Sequence, residues 1–331
     1  MNVTRTIFRA LQSTLLWFFL AGVCFAQQSA TADSSDATGN DLDHAVKVAD
    51  DVLWRLELGD LAEVRTFRYT GLPRTAKGKN LMILYAYSFI PKKLNRDKKH
   101  PLIVLVHGGV HSNHMTGGPA NAATIVRELI EEGYAVVAPD YRGSTGYGEA
   151  YKKAIDYGGK ENDDALGARA WMLEHYSFLD AARVGIVGWS HGGMIALFNV
   201  LLHPEAYACA YAGEPVSDLL ERRKYVKALP QTIVESGGDA ADDQEYHRRS
   251  PVTFAARLEK PLLVHGNTND ETVHVAEVQH LIDALTAAQR KFEYKIYDAA
   301  PGGHHFNCID TKLARTSRAE IYQFLRRHLQ S

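Results

Sequence analysis

Short apolar runs that alternate with helical segments constrain the fold of this chain more than any other feature. The run at residues 101–106 contains no charged residue, and strands of this kind are buried on both faces, as in a parallel sheet. Their alternation with helical segments predicts an α/β fold, with a mostly parallel, doubly wound sheet and helices on both faces. Segments 62–70 and 80–90 predict an antiparallel pair at one edge. The other strand-like runs are 134–138, 183–187, 208–212, 261–265 and 291–297.

The first residues have the pattern of an export signal. Arg5 and Arg9 precede a short apolar core at residues 15–23, and the small residue Ala26 follows it. This pattern predicts a signal peptide over residues 1–26, with cleavage after Ala26, and therefore a periplasmic or secreted protein without stable membrane association after cleavage. Two alternatives stay open: a retained membrane anchor, and lipidation at Cys24.

The rest of the chain is long enough for one large domain. Residues 27–40 are polar and small, which predicts a disordered leader. Residues 41–331 are interpreted as a single domain, because a chain of 331 residues is long enough to bury a large core. The net charge of −2 gives no sign of a nucleic-acid partner. Cys209 and Cys308 are expected as buried free thiols. Helical spacing predicts a helix from the apolar residues Leu42, Val46, Ala49, Leu53 and Leu56.

A glycine-flanked serine lies between a predicted strand and a predicted helix. Gly188 and Gly192 stand two residues before and after Ser190, and the run 183–187 precedes them. A strand, a tight turn with one serine and then a helix describe a nucleophile elbow, so Ser190 is the predicted nucleophile. The alternative is a turn serine that only caps the helix.

A base and an acid follow two later predicted strands. His304 is the predicted base, in a glycine-rich loop, with His305 as its competitor. Asp270 is the predicted acid that orients the base, with Glu271 as its neighbour; a cap on the following helix is an alternative role for Asp270. The order Ser190, Asp270, His304 is the order of the α/β-hydrolase fold.

The loop after residues 101–106 supplies candidates for an oxyanion hole. The backbone N–H of Gly109 or Val110 would act together with that of His191. No metal or organic cofactor is expected, because carboxylates and cysteines are not close in sequence to the histidines of this loop. Those histidines are His107, His111 and His114.

Two further residues are candidate substrate contacts. Tyr147 lies in a glycine-punctuated loop that either walls the site or serves as a buttress, with Arg142 paired to Asp163 or Asp164. Glu214 follows the run 208–212 and would attract a substrate amine. The alternative is a solvated or helix-capping carboxylate.

These motifs together resemble the catalytic domain of the prolyl oligopeptidase family of serine peptidases. The resemblance covers residues 80–330 and rests on H-G-G, D-Y-R-G-S-x-G-Y-G, G-W-S-H-G-G, H-G-x-x-N-D-x-x-V and G-G-H-H-F. It implies a peptidase with the nucleophile at Ser190, the acid at Asp270 and the base at His304. Many members carry a β-propeller, for which residues 41–79 are too few. A carboxylesterase acting on small esters is the alternative, and a non-catalytic binding protein is the third possibility; the oligomeric state is open.

Overall fold

The computed structural model describes residues 35–71, 82–117 and 121–330, with side chains from residue 42 onward. The predicted signal peptide therefore lies outside the described residues. The chain divides into two compact units, residues 1–41 and 42–331, and the second contains every described strand. The first helix begins at Ser35, inside the segment expected as a leader, because extending a helix costs less than nucleating one. Within the described residues, no helix is long and apolar enough to span a membrane.

Eight strands and ten α-helices make up the described structure, with two 3₁₀ turns at Pro251–Arg257 and Gly303–His305. The strands are β1 Ala62–Thr70, β2 Ile83–Pro91, β3 His100–Val106, β4 Ala135–Asp140, β5 Leu179–Trp189, β6 Cys209–Gly213, β7 Leu262–Asn267 and β8 Glu293–Tyr297. The helices are α1 Ser35–Leu58, α2 Ala122–Glu131, α3 Glu149–Lys152, α4 Glu161–His175, α5 His191–Leu202, α6 Leu219–Arg222, α7 Leu229–Glu235, α8 Asp243–Arg248, α9 Val275–Ala287 and α10 Lys312–Leu329.

The strands form one sheet in the order β1-β2-β4-β3-β5-β6-β7-β8. β1 pairs with β2, and β2 with β4, in antiparallel fashion, while every other pair is parallel. The mostly parallel sheet and its antiparallel edge confirm the fold predicted from the apolar runs. Parallel strands direct their carboxyl ends to one edge, where ligands bind in sheets of this kind.

Helices cover both faces of the sheet, and successive residues of a strand point to opposite faces. On one face, α4, α5 and α9 pack against residues such as Val104 and Ile186. On the other face, α2 and α10 pack against residues such as Leu105 and Val187. The sheet is therefore doubly wound, and the central strands are apolar throughout because neither of their faces meets water.

The predicted first helix is present, but the apolar residues that predicted it do not face the sheet. The buried residues of α1 are instead Lys47, Asp50, Trp54 and Leu58. Trp54 packs 5.0 Å from the ring of Phe89 on β2. Helical spacing identified the element correctly, but the face that packs was decided by aromatic and ionic contacts with the sheet.

Candidate active site

Ser190 lies at a sharp turn between β5 and α5, as expected for a nucleophile elbow. Its φ of 57° and ψ of −121° are unusual for a residue with a side chain. The Ser190 N–H donates to the Gly213 carbonyl at 2.9 Å, and its carbonyl accepts from Val216 N at 3.2 Å. The turn is compact because a Cβ at Gly188 would collide with the Gly192 carbonyl. The strained serine is thus held on both sides by backbone hydrogen bonds.

Asp270 and His304 form a close pair at the carboxyl ends of β7 and β8. His304 Nδ1 lies 2.6 Å from Asp270 Oδ2, and the two side chains are 9% and 1% exposed. A carboxylate can only accept hydrogen bonds, so Nδ1 carries the proton and Nε2 is left as an acceptor. Asp270 Oδ1 also accepts from the N–H groups of Thr272 and Val273, at 2.8 and 2.9 Å. One oxygen of Asp270 therefore bonds the histidine and the other holds the turn at Thr272 and Val273, whereas the following helix begins after His274 and has no side-chain cap.

The competing residues are placed differently. His305 lies beside His304, with ring centroids 5.1 Å apart, but the Asp270 carboxylate bonds to His304. Burial, together with the neighbouring His304, lowers the pKa of His305. Glu271 is exposed, whereas Asp270 is buried. The geometry therefore favours the pair His304 and Asp270 over both alternatives.

Asn267 is a residue whose role was missed in the sequence. Its Oδ1 accepts from Ala300 N at 3.0 Å, and its Nδ2 donates to the carbonyls of Ala300 and Gly303 at 3.2 and 2.9 Å. The side chain thereby ties the end of β7 to the loop that carries His304. A signal was present, because Asn267 lies two residues after the strand-like run 261–265.

A cavity of about 380 Å³ lies above the elbow. Ser190, His304, Gly108 and Gly109 are among its lining residues. Gly108 approaches the elbow closely, since a Cβ there would lie 3.2 Å from Ser190 Cβ. The other described lining residues are Leu105, Val106, His107, Ser112, Asn113, His114, Met115, Gly117, Ala122, Ile125, Trp189, Thr272, His305 and Cys308.

The predicted oxyanion-hole residues are brought together in part. His191 is the first residue of α5, directly after Ser190, so its N–H belongs to the unpaired amides at a helix start. Gly109 lines the cavity with a φ of +74°. Val110 is instead half-buried against the apolar core, and Gly108 is the closer neighbour of Ser190. The geometry therefore favours Gly108 or Gly109 over Val110 as the candidate for the second donor.

The three loop histidines have separate hydrogen-bond partners. His107 Nε2 lies 2.9 Å from Ser144 Oγ, and burial lowers the pKa of His107 to about 4. His111 Nδ1 bonds the Gly143 carbonyl at 2.8 Å, and His114 Nε2 bonds a strand carbonyl at 3.1 Å. Within the described residues, no three His, Cys, Asp or Glu side chains are placed to hold a metal ion.

The family of this chain follows from comparison with known proteins. A sequence profile of the prolyl oligopeptidase family matches residues 122–331, more than half of the chain. The chain belongs to the prolyl oligopeptidase family. This confirms the resemblance drawn from the strand-end motifs, and Ser190, Asp270 and His304 all lie within the matched residues.

Relatives within the prolyl oligopeptidase family are considerably longer. Dipeptidyl aminopeptidase BIII of Pseudoxanthomonas mexicana is 28% identical over 263 residues, which are 76% of this chain and 35% of that protein. Dipeptidyl peptidase 8 of Mus musculus is 29% identical over 229 residues, 65% of this chain and 24% of that protein. The chain thus spans about a third or less of these relatives.

Solved structures share the α/β-hydrolase fold of this family member. The uncomplexed acylaminoacyl peptidase of Pyrococcus horikoshii has a TM-score of 0.68 and 21% identity, covering 81% of this chain and 42% of that one. An acylaminoacyl peptidase in complex with Z-Gly-Gly-Phe-chloromethyl ketone has a TM-score of 0.69 and 21% identity, with the same coverage.

Tyr147, a predicted substrate contact, is not among the lining residues of the active-site cavity in this prolyl oligopeptidase family member. Its hydroxyl donates to Asp140 Oδ2 at 2.5 Å, and its ring stacks on Tyr85 at 4.2 Å. The Tyr147–Tyr85 stack ties the loop to β2, and Arg142 ties it to α4 by bonding Asp164 through Nε and Nη2, at 2.8 and 2.7 Å. The buttress interpretation of this loop is therefore confirmed.

Glu214 also departs from its predicted place in the cleft. The side chain is buried, with Oε2 accepting from Asn307 Nδ2 at 3.4 Å and Oε1 without a partner. Burial, reinforced by the charge of Asp270, raises the pKa of Glu214 well above its ordinary value. Because Glu214 is buried and is not among the lining residues of the cavity, its carboxylate is not placed to contact a substrate amine there.

The cysteines lie as the sequence predicts. Cys209 and Cys308 are both free and buried, and burial raises the pKa of each thiol to about 12. Burial thus disfavours the reactive thiolate form of both cysteines.

Proposed function

We propose that this chain is a serine peptidase in which Ser190, His304 and Asp270 act as nucleophile, base and orienting acid. The observation that carries the proposal is the Asp270–His304 pair, with 2.6 Å between Oδ2 and Nδ1, at the cavity that Ser190 also lines. Family membership supports peptide bonds over small esters as substrates, because the relatives named above are peptidases.

The reaction would proceed through an acyl-enzyme. His304 Nε2 takes the proton from Ser190 Oγ as the oxygen attacks the peptide carbonyl carbon. The developing oxyanion accepts hydrogen bonds from the N–H of His191 and from that of Gly108 or Gly109, and each such donor contributes about 3 kcal/mol. His304 then protonates the leaving amine, and a water molecule repeats the sequence to release the acid. Asp270 stabilises the imidazolium in both halves.

The cavity lining supports an uncharged residue on the acyl side of the cleaved bond. Met115, Ile125 and Trp189 contribute apolar surface, and no described lining residue is Asp, Glu, Lys or Arg. An apolar cavity of about 380 Å³ has the size of a small-molecule site. We therefore expect apolar side chains to be preferred. Because Glu214 lies outside the lining, Glu214→Gln should leave the ratio of rates on free and N-blocked substrates unchanged.

A direct test combines covalent labelling with paired substrates. A fluorophosphonate should label the wild-type chain and not Ser190→Ala, and the same variant should lose turnover. Ser112→Ala is a matched control, because Ser112 lines the same cavity but does not belong to the turn between β5 and α5. Labelling that persists in Ser190→Ala would refute the nucleophile. A panel of aminoacyl-naphthylamides and nitrophenyl esters with the same acyl group decides between amide and ester hydrolysis.

We also propose that the protein is exported by the signal at residues 1–26. The support is the order of basic residues, apolar core and small residue that ends at Ala26. Amino-terminal sequencing of the protein from the extracytoplasmic fraction should begin at Gln27. A protein recovered from the cytoplasm with residue 1 intact would contradict export.

A further inference from the structure

Helix α1 presents a continuous apolar surface that its own domain does not cover. The face with Lys47, Asp50, Trp54 and Leu58 is docked on the sheet. The opposite face is exposed, and its large apolar residues are between 39% and 67% accessible. That face consists of Leu42, Ala45, Val46, Val48, Ala49, Val52, Leu53 and Leu56. Contiguous apolar surface on a folded protein marks an interaction site.

The exposed residues follow a seven-residue repeat. Leu42, Val46, Ala49, Leu53 and Leu56 are separated alternately by four and three positions. This is the spacing of the a and d positions of a coiled coil, with Val46 and Leu53 at a and the other three at d. Valine at a and leucine at d suit a two-stranded, parallel pair. The repeat therefore points to another helix as the occupant.

We propose that the exposed face of α1 is a dimer interface, on which a second copy of this chain packs its own α1 in parallel. Two other occupants fit less well. The acids Asp43 and Glu57 flank the exposed face, which disfavours an anionic membrane surface. The apolar core at residues 15–23 is removed with the proposed signal, and segments 27–34 and 72–81 of the same chain contain only two large apolar residues, Leu72 and Leu81.

Charge also selects the parallel direction. In an antiparallel pair centred on Ala49, Asp43 of one copy and Glu57 of the other, both at e positions, would lie on the same flank of the seam, offset by about 3 Å along the axis, and like charges at these flanking positions disfavour a pairing. In a parallel pair each a or d residue meets its own counterpart instead. The two-fold axis then runs along the seam, and the two domains lie on opposite sides of it.

The size of the interface predicts a dissociable dimer. Residues 42–56 span only about 22 Å of helix. A pair of helices this short buries less surface than the about 800 Å² per partner of a standard interface. So short a helix pair would not form from free peptides. Here α1 is already held by its docked face, so association does not have to order the helix.

The first experiment measures association of the mature chain, which begins at Gln27 once the proposed signal is removed, by sedimentation velocity from about 1 to 100 μM, the range in which a small interface dissociates. Val46→Glu places two carboxylates against each other in the seam and should weaken dimerisation at least about tenfold. Val234→Glu is the matched control, because Val234 is 58% exposed on α7, and it should leave the association unchanged. Thermal unfolding confirms that both variants fold.

The second experiment tests the direction of the pair by oxidative cross-linking. In the mature chain, which lacks Cys24, Leu42→Cys and Leu56→Cys should each form a disulfide-linked dimer, because each faces its own counterpart. In an antiparallel pair the two copies of Leu42 would lie about 20 Å apart, beyond disulfide reach, and only Ala49→Cys would link.

Three results would overturn the proposal. A monomer throughout the concentration range would remove the dimer. Cross-linking through Ala49→Cys alone would reverse its direction. Binding to phosphatidylglycerol vesicles that Val46→Glu abolishes, without any change in sedimentation, would assign the face to a membrane.

Discussion

Replacing Asp270 with asparagine separates the two roles of this carboxylate. Asparagine keeps an oxygen that can accept from the N–H groups of Thr272 and Val273, so the local turn is preserved. Its amide group, however, presents a donor to His304 Nδ1 where Oδ2 accepts at 2.6 Å. The imidazole must then carry its proton on Nε2. That nitrogen becomes a hydrogen-bond donor and can no longer accept the proton of Ser190.

The expected loss follows from this change of tautomer. Removing the acid of such a triad while keeping its shape lowers kcat about 10⁴-fold, or about 5.4 kcal/mol of transition-state stabilisation. The unfolding free energy should change by less than about 1 kcal/mol, because the hydrogen bonds of Oδ1 survive. Asp270→Ala should lose the same activity and an additional 0.5–2 kcal/mol or so of stability.

The assay compares kcat on an aminoacyl-naphthylamide with the rate of fluorophosphonate labelling and with urea unfolding. Glu271→Gln is the matched control, since this neighbouring acid is exposed and should retain wild-type kcat. The double variant Asp270→Asn/His304→Ala should be no slower than His304→Ala alone, because the two residues act as one unit. A folded Asp270→Asn with more than about a tenth of wild-type kcat would refute the reasoning.

Three further changes test other parts of the structure. Gly108→Ala places a methyl group 3.2 Å from Ser190 Cβ and should lower kcat about 100-fold in steady-state assays; an unchanged kcat would remove Gly108 from the site. Burial raises the pKa of Glu214 above 4.5, so the folded state binds that proton more tightly than the unfolded state does. The free energy of unfolding should therefore fall as pH rises above 4.5, by at most about 1.4 kcal/mol per pH unit. Glu214→Gln should flatten this slope in urea titrations from pH 4 to 8, and an unaltered slope would contradict the buried neutral carboxyl. Tyr147→Phe should cost about 1 kcal/mol, because Asp140 loses a donor, while kcat and KM stay within about twofold of wild type; a raised KM would return Tyr147 to substrate binding.

Much of the fold and the candidate site could be predicted because the governing signals are local. An uninterrupted apolar strand can be stable only with both faces covered, so the run at β3 already indicated a central position in a parallel sheet. Strands of that sheet end at one edge, and the residues that follow them must converge. Ser190, Asp270 and His304 could therefore be grouped although they are distant in sequence.

Other features depend on contacts between distant segments. Glu214 follows its strand by one residue, and sequence spacing could not show that its side chain is buried and accepts a hydrogen bond from Asn307. The sequence also left two roles open for the loop of Tyr147, a wall of the site or a buttress. The ion pair between Arg142 and Asp164, which are distant in sequence, favours the buttress.

The sequence by itself determined which segments form strands and in which order the polar residues follow them, because hydrophobic periodicity and chain order are properties of neighbouring residues. The tertiary structure decided which face of α1 packs against the sheet. It also decided that the loop with Gly108, and not the loop with Tyr147, lines the cavity at Ser190. The apolar repeat of α1 is a sound helix signal, yet the sheet selected the face with Lys47 and Trp54. Packing follows from shape and charge on both partners, and a sequence pattern describes only one of them.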